Sequence, residues 1–195
     1  MEKHKVIHFP RVSSVMDRIE KTKGIILELK PTRILDIGGN NYKDFCLKNN
    51  IQYICIDLAK PQETGKGGYH RDKDGLVYDG RNLPFTTGEF DLVIVNFVLH
   101  HASNNTLFLL EQIKNISSKH ILIGEDLSEL NYDLKWHYRN YIHQPGGVFR
   151  SDEEWQRLFV LYDMKLTHQY IINRKDDINP KHIYRCLYLL EKNNQ

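Results

Sequence analysis

The chain has 195 residues, 41% hydrophobic and 27% charged, with a net charge of +2 when its ten histidines are neutral. That length suits a single domain, 1–195, with a real core, and the charge balance compels no nucleic-acid partner, though a local patch could still serve one. No apolar run reaches membrane length and the first residues lack a signal-peptide core, so a cytoplasmic protein with no membrane partner is expected.

Cys46, Cys55 and Cys186 lie far apart in apolar surroundings, which fits buried reduced thiols. Residues 1–12 read as basic and irregular, with Pro10 stopping any early helix. Ser13 or Ser14 can cap a helix from about Val15 to Leu29, its Met16, Ile19, Ile26 and Leu29 on one face.

The stretch RILDIGGNNYKDF, 33–45, carries the strongest signal. Ile34, Leu35 and Ile37 read as a buried strand, bounded by Pro31 and Gly38, that carries Asp36 near its end and breaks into Gly38 and Gly39. Two glycines there allow positive φ and let a ligand approach bare backbone, at the end of a parallel strand where open α/β sheets bind ligands. A second apolar strand, 51–58, ends in Asp57, about twenty residues beyond the glycines. A carboxylate at that place offers two acceptor oxygens to the two hydroxyls of a ribose. A dinucleotide would require G-x-G-x-x-G. The loop here reads G-G-N-N-Y, and Asn40 and Tyr42 are expected to crowd a pyrophosphate, so NAD is disfavoured.

Residues 59–75 read as a loop, either a solvated connection or a flap. A third strand should span 76–79 and end in Asp79, with Leu83 and Phe85 following as a ligand wall or as core. The near-continuous apolar run 90–96 fits a parallel strand covered on both faces. Asn104 or Asn105 can then cap a helix to about Ile116, with Leu107, Leu110, Ile113 and Lys114 at helical spacing. A fifth strand, 121–124, ends in Glu125 and Asp126. The segment 127–150 is rich in aromatics and histidine, including Trp136, His137, Tyr138, Tyr141 and His143. Ser151 should cap a helix with three acids in its first turn and with Trp155, Leu158 and Phe159 inward. Strands at about 165–172 and 182–190 finish the chain.

The run LDIGG, then ICIDL, then YDGRNLPFTTGEFDLVIVNFVLHH resembles the class I SAM-dependent methyltransferases, above all their type 11 small-substrate group, from about 33 to 125. The resemblance implies an α/β fold: a Rossmann-like, seven-stranded, mostly parallel sheet with a C-terminal antiparallel hairpin at its edge and helices on both faces. It implies S-adenosyl-L-methionine as cofactor, held by Asp36, Gly38, Gly39, Asn40, Asp57, Leu58, Asp79, Gly80, Asn96 and Val98. Asp79 would accept from the adenine amino group. The segment 127–150 falls where the family inserts substrate-recognition elements, so Trp136, His137, Tyr138 and Tyr141 become the expected substrate wall. Two departures stand out: Asn40 and Tyr42 replace the later glycines of the family loop, and ISSKH replaces a Pro-Gly-Gly before the fifth strand.

Methyl transfer needs alignment, exclusion of water and, for a hydroxyl or ammonium acceptor, removal of a proton. His101, directly after the fourth strand, is the first candidate base; it can equally cap or pack, and His100 is expected to point elsewhere. Glu125 and Asp126 are the second candidates, or else helix N-terminal charges. No metal-ligand spacing is present, so no metal is expected. NFVL occupies the place of the NPPY-like tetrapeptide of amino-methylating nucleic-acid enzymes, which disfavours base N-methylation. The expected acceptor is a small molecule with an O, N or C nucleophile. An RNA-directed methyltransferase and a non-catalytic SAM-binding subunit are the alternatives.

Overall fold

The computed structural model describes residues 4–8, 14–39, 41–58, 75–128, 147–171 and 185–192. Asn40, Trp136, His137, Tyr138, Tyr141 and His143, together with 59–74, lie outside the described residues. Among the described residues no helix is long and apolar enough to cross a membrane.

One eight-stranded sheet organises the fold. In chain order the elements are β1 (Lys5–His8), α1 (Ser14–Leu29), β2 (Arg33–Ile37), α2 (Lys43–Lys48), β3 (Gln52–Leu58), β4 (Leu76–Tyr78) and β5 (Phe90–Asn96). Two short 3₁₀ turns, Leu99–His101 and Ser103–Asn105, lead into α3 (Thr106–Ile116) and β6 (Ser117–Asp126). The chain closes with α4 (Asp152–Leu161), β7 (Met164–Ile171) and β8 (Arg185–Lys192). Across the sheet the order is β1-β7-β8-β6-β5-β2-β3-β4. The pairs β4-β3, β3-β2, β2-β5 and β5-β6 are all parallel, whereas β8 runs antiparallel to both β6 and β7.

The expected seven strands are eight. The extra one is β1, which lies in the stretch read as irregular and pairs in parallel with β7, Lys5 opposite His168 through His8 opposite Ile171. Four residues carry too little alternation to be recognised; a distant edge strand supplies their hydrogen bonds. The hairpin β7-β8 is therefore not the sheet edge, because β1 covers it.

Alternation on the central strands builds two cores. Leu35, Ile37, Val93, Val95, Ile121 and Ile123 face a cluster that includes Leu110 and Ile113 of α3 and Trp155 and Phe159 of α4. Ile34, Leu92, Ile94 and Leu122 face the opposite cluster, with Ile25 and Ile26 of α1 and with Tyr42 and Cys46. Both faces of the parallel strands are thus covered, as their apolar runs require. On α3 the inward set is Leu109, Leu110, Ile113 and Ile116, while Leu107 is exposed. The helix begins at Thr106, after two 3₁₀ turns, and the stripe rotates accordingly. Asn105 precedes α3 but makes no side-chain cap. At α4 the expected cap is complete: Ser151 Oγ accepts from the Glu154 N–H and Glu154 accepts from the Ser151 N–H.

Candidate active site

From β2 the chain moves outward to β3 and β4, then returns to β5 on the other side of β2. This reversal opens a crevice at the carboxyl ends of β2 and β5, the place where open α/β sheets bind ligands. The cofactor residues expected from the sequence that fall among the described residues all lie along this edge. They are contributed by β2, β3, β4 and β5, four neighbours in the sheet.

The glycine loop has its sequence for steric reasons. Gly38 has φ +73° and its N–H donates to the Ile56 carbonyl at 2.8 Å. A Cβ on Gly38 would collide with Cγ2 of Val98, and one on Gly39 would stand 2.7 Å from both carboxylate oxygens of Asp36. The loop backbone therefore lies directly on the Asp36 carboxyl. That carboxyl is 1% exposed and accepts the Tyr53 hydroxyl at 2.6 Å. Burial, opposed by the Tyr53 hydrogen bond and reinforced by the Asp57 charge, lifts Asp36 to about 7. Tyr42, expected to crowd the crevice, instead turns its ring into the core at 2% exposure. Its hydroxyl accepts from Asn96 Nδ2 at 3.3 Å, and burial, then the Asp36 charge, pushes it up to about 12.

Asp57 is half-buried at the end of β3, with Oδ1 accepting the Leu58 N–H at 2.7 Å. A carboxylate has room for further donors beyond that one. Leu58 is 47% exposed, an apolar side chain on the rim, and it packs where a Cβ on Gly80 (φ +81°) would stand, 2.7 Å from Leu58 Cδ2. Asp79 is exposed just past β4. Its Oδ1 accepts the Asn82 and Arg81 N–H groups at 2.6 and 2.8 Å, and its Oδ2 accepts the Asn82 side-chain amide at 2.8 Å. Those bonds hold it below the usual carboxylate range. Leu83 and Phe85 belong to the core: Leu83 is buried, and Phe85 meets Phe90 edge to face with ring centroids 4.9 Å apart.

Beyond β5 the two histidines divide. His100 is 1% exposed and lies on Glu125, Nδ1 to Oε2 at 2.6 Å. Glu125 is fully buried, and its Oε1 accepts the Leu99 N–H at 2.9 Å. Burial raises the Glu125 carboxyl, against the pull of His100. His100 also stacks on Phe149 at 4.8 Å, and its carbonyl accepts the Val148 N–H at 2.7 Å. His101 is exposed, with its ring 4.0 Å from that of His100. Surrounding protein, and then His100, bring His101 down to about 4, so its imidazole is neutral at physiological pH. Asp126 is 4% exposed and takes Arg185 Nε at 2.8 Å. Both acids belong to β6 itself, so neither is a free charge at a helix start.

The sequence reading assigned no role to Tyr53 or Arg185. Tyr53 and Arg185 carry no local signal, because their partners are 17 and 59 residues away.

The sheet, the glycine loop and the acids on neighbouring strand ends define a Rossmann-like methyltransferase architecture. Residues 35–119 match the type 11 family model of the methyltransferase domain. A malonyl-[acyl-carrier protein] O-methyltransferase of Legionella pneumophila is 35% identical over 85 residues, covering 40% of this chain and 30% of that protein. Solved structures of similar fold include the 1,6-didemethyltoxoflavin-N1-methyltransferase of Burkholderia thailandensis with bound 1,6-didemethyltoxoflavin and S-adenosylhomocysteine. It has a TM-score of 0.64 at 15% identity, over 90% of this chain and 78% of that one. Human N-acetylserotonin methyltransferase in complex with SAM gives 0.62 at 20% identity, over 93% and 52%. Residues 35–119 thus match a methyltransferase domain, and the chain shares the fold of solved SAM-dependent methyltransferases.

Proposed function

We propose that this chain transfers a methyl group from S-adenosyl-L-methionine to an O, N or C nucleophile of a small molecule. The observation that carries the reading is the crevice between β2 and β5. Bare glycine backbone lies on the Asp36 carboxyl there, and Asp57 stands at the end of the next strand. In this reading Gly38 and Gly39 admit the amino-acid end of the cofactor, and Asp57 takes the ribose hydroxyls. Asp79 accepts the adenine amine, while Leu58 and Val98 supply apolar walls. The cofactor supplies an electrophilic methyl carbon.

His101 is the proposed base. Its imidazole, neutral above about pH 4, takes the proton of a hydroxyl or ammonium acceptor. Glu125 and Asp126 do not share that work: Glu125 fixes the turn that carries His101, and Asp126 holds Arg185. The segment 127–150 is the proposed substrate wall. Its two described ends are joined, since Ser128 donates its N–H to the Arg150 carbonyl at 3.0 Å and its hydroxyl to the Phe149 carbonyl at 3.1 Å. That closure, together with the Val148–His100 bond, ties the segment to the turn bearing His101. The same segment, with Trp136, His137, Tyr138 and Tyr141, then excludes water from the reacting groups.

Calorimetry with SAM, followed by transfer of labelled methyl from SAM to a metabolite extract, tests the reading. Binding together with label in a low-molecular-weight product supports it. Label in RNA would move the acceptor to nucleic acid, and tight binding with no labelled product would indicate a SAM-binding subunit. Failure to bind SAM would refute it.

A further inference from the structure

The first turn of α4 carries three acids with different partners. Glu153 pairs with Arg157 at 2.6 Å on the open surface, and Glu154 closes the capping box with Ser151. Asp152 turns to the sheet. Its Oδ1 accepts the Tyr188 hydroxyl of β8 at 2.7 Å and the Gln169 side-chain amide of β7 at 2.9 Å. Its Oδ2 accepts the Gln156 side-chain amide, one turn along α4, at 3.0 Å. Tyr188 is fully buried and Gln169 is 3% exposed, so two of these donors are shielded from water, where a charged acceptor holds them firmly. Gln169 reaches further: its Oε1 accepts from Nε2 of His4, directly before β1, at 3.1 Å. A helix start favours any acid, but helix charge alone does not turn a carboxylate onto two strands.

Asp152 stands two residues beyond Arg150, the last residue of the segment 127–150. That end of the segment is tied to the candidate site. The Arg150 carbonyl accepts the Ser128 N–H at 3.0 Å, and the Val148 N–H donates to the His100 carbonyl at 2.7 Å. Phe149 stacks on His100 at 4.8 Å, and the His100 and His101 rings are 4.0 Å apart. The stretch 148–152 is therefore held at both ends, by β7 and β8 at Asp152 and by the turn after β5 at Val148. Each residue spans at most about 3.5 Å of chain, so so short a tether has little slack.

We infer that Asp152 is a positioning residue for His101: by anchoring the end of the segment 127–150 to β7 and β8, it sets the turn on which His101 is carried. Asp152 acts through Val148 and His100 rather than by touching substrate or cofactor. The inference rests on the reading of His101 as the base. A contiguous chain of bonds couples two places only where loosening one end moves the other, and that is measurable here.

Asp152→Ala and Asp152→Asn are compared with wild type at a temperature where each is folded. Amide exchange is read at Val148 and Ser128, whose N–H groups donate to His100 and Arg150, and at Gly38, whose N–H donates to Ile56 of β3. The His101 ring is titrated by NMR. In Asp152→Ala, exchange at Val148 and Ser128 should rise about tenfold or more with Gly38 unchanged. The His101 titration should move from about 4 toward the ordinary 6.5 as the protein around it loosens. Asp152→Asn, whose amide oxygen still accepts from Tyr188 and Gln169, should keep all of these near wild type. An unmoved His101 titration overturns the inference, as does exchange that rises alike at all three amides or at none. Calorimetry of wild type with S-adenosylhomocysteine tests the underlying reading separately. If that ligand does not bind, the methyltransferase reading fails and His101 loses its part as base; if it binds while the amides stay unmoved, only the positioning role is lost. Should Asp152→Ala not fold, Tyr188→Phe, which removes one donor to Oδ1, reads the same amides and the same ring.

Discussion

The carboxyl ends of β2, β3 and β4 and those of β5 and β6 are lined by acids of the same type but in different circumstances. On the first side the acids meet local partners at the rim: Asp57 accepts its neighbour's N–H through one oxygen, and exposed Asp79 accepts from Arg81 and Asn82. On the second side the acids are consumed. Glu125 is fully buried with both oxygens engaged, and Asp126 is closed by Arg185. The proposed ligand acids are thus the exposed or half-buried ones with partners within three residues, whereas the buried acids pair with distant side chains. The contrast extends to the histidines. His100 is spent on Glu125, whereas its neighbour His101 is exposed.

The sharpest way to break this contrast is at the two histidines. His101→Ala should lower kcat by about 10²–10⁴ with SAM affinity nearly unchanged, as for loss of a general base. Full turnover by that variant on an acceptor that must lose a proton would remove His101 from the mechanism. Its pH profile gives an independent check. The acid limb owed to His101 should lie near pH 4, below the ordinary histidine range, and should vanish in the variant.

Glu125→Ala should act on stability instead, costing about 3–5 kcal/mol by leaving His100 and the Leu99 N–H buried without their acceptor. Denaturant melts measure this. A stable Glu125→Ala protein with lost turnover would put Glu125 back among the catalytic groups.

On the cofactor side, Asp57→Ala should weaken SAM binding by about 1.5–3 kcal/mol, the range for hydrogen bonds to a charged group, with little change in thermal stability. Unchanged affinity by calorimetry would remove Asp57 from the ribose.

The smallest effect concerns Asp36. Its folded pKa, about 7, lies above the ordinary aspartate value of 3.8, so the folded protein binds the proton more tightly than the unfolded chain. Its contribution to stability is full below about pH 4 and is lost as pH rises through 7. Asp36→Asn should remove that loss, flattening the stability curve between pH 5 and 8. Parallel melts of the two proteins across that range decide it, and identical slopes would refute the assignment.

Much of this was legible in the sequence because it is local. The apolar runs at Ile34–Ile37 and Phe90–Asn96, the Gly38-Gly39 break and the Ser151 capping box each depend on neighbours a few residues away. So does the rim position of Asp57 and Asp79, since a residue at the end of a parallel strand goes where the strand goes. Tertiary structure decided what each group is paired with. β1 exists because β7 supplies its hydrogen bonds from more than 150 residues away. The division between buried His100 and exposed His101 follows from the 3₁₀ turn after β5, which carries both. Tyr42 took the place of a loop glycine without filling the crevice because α1 and the sheet offered its ring a buried site. Periodicity and turn chemistry fix which face a residue joins. Whether an acid, a histidine or an arginine is spent or available depends on partners that only the folded chain brings within hydrogen-bond distance.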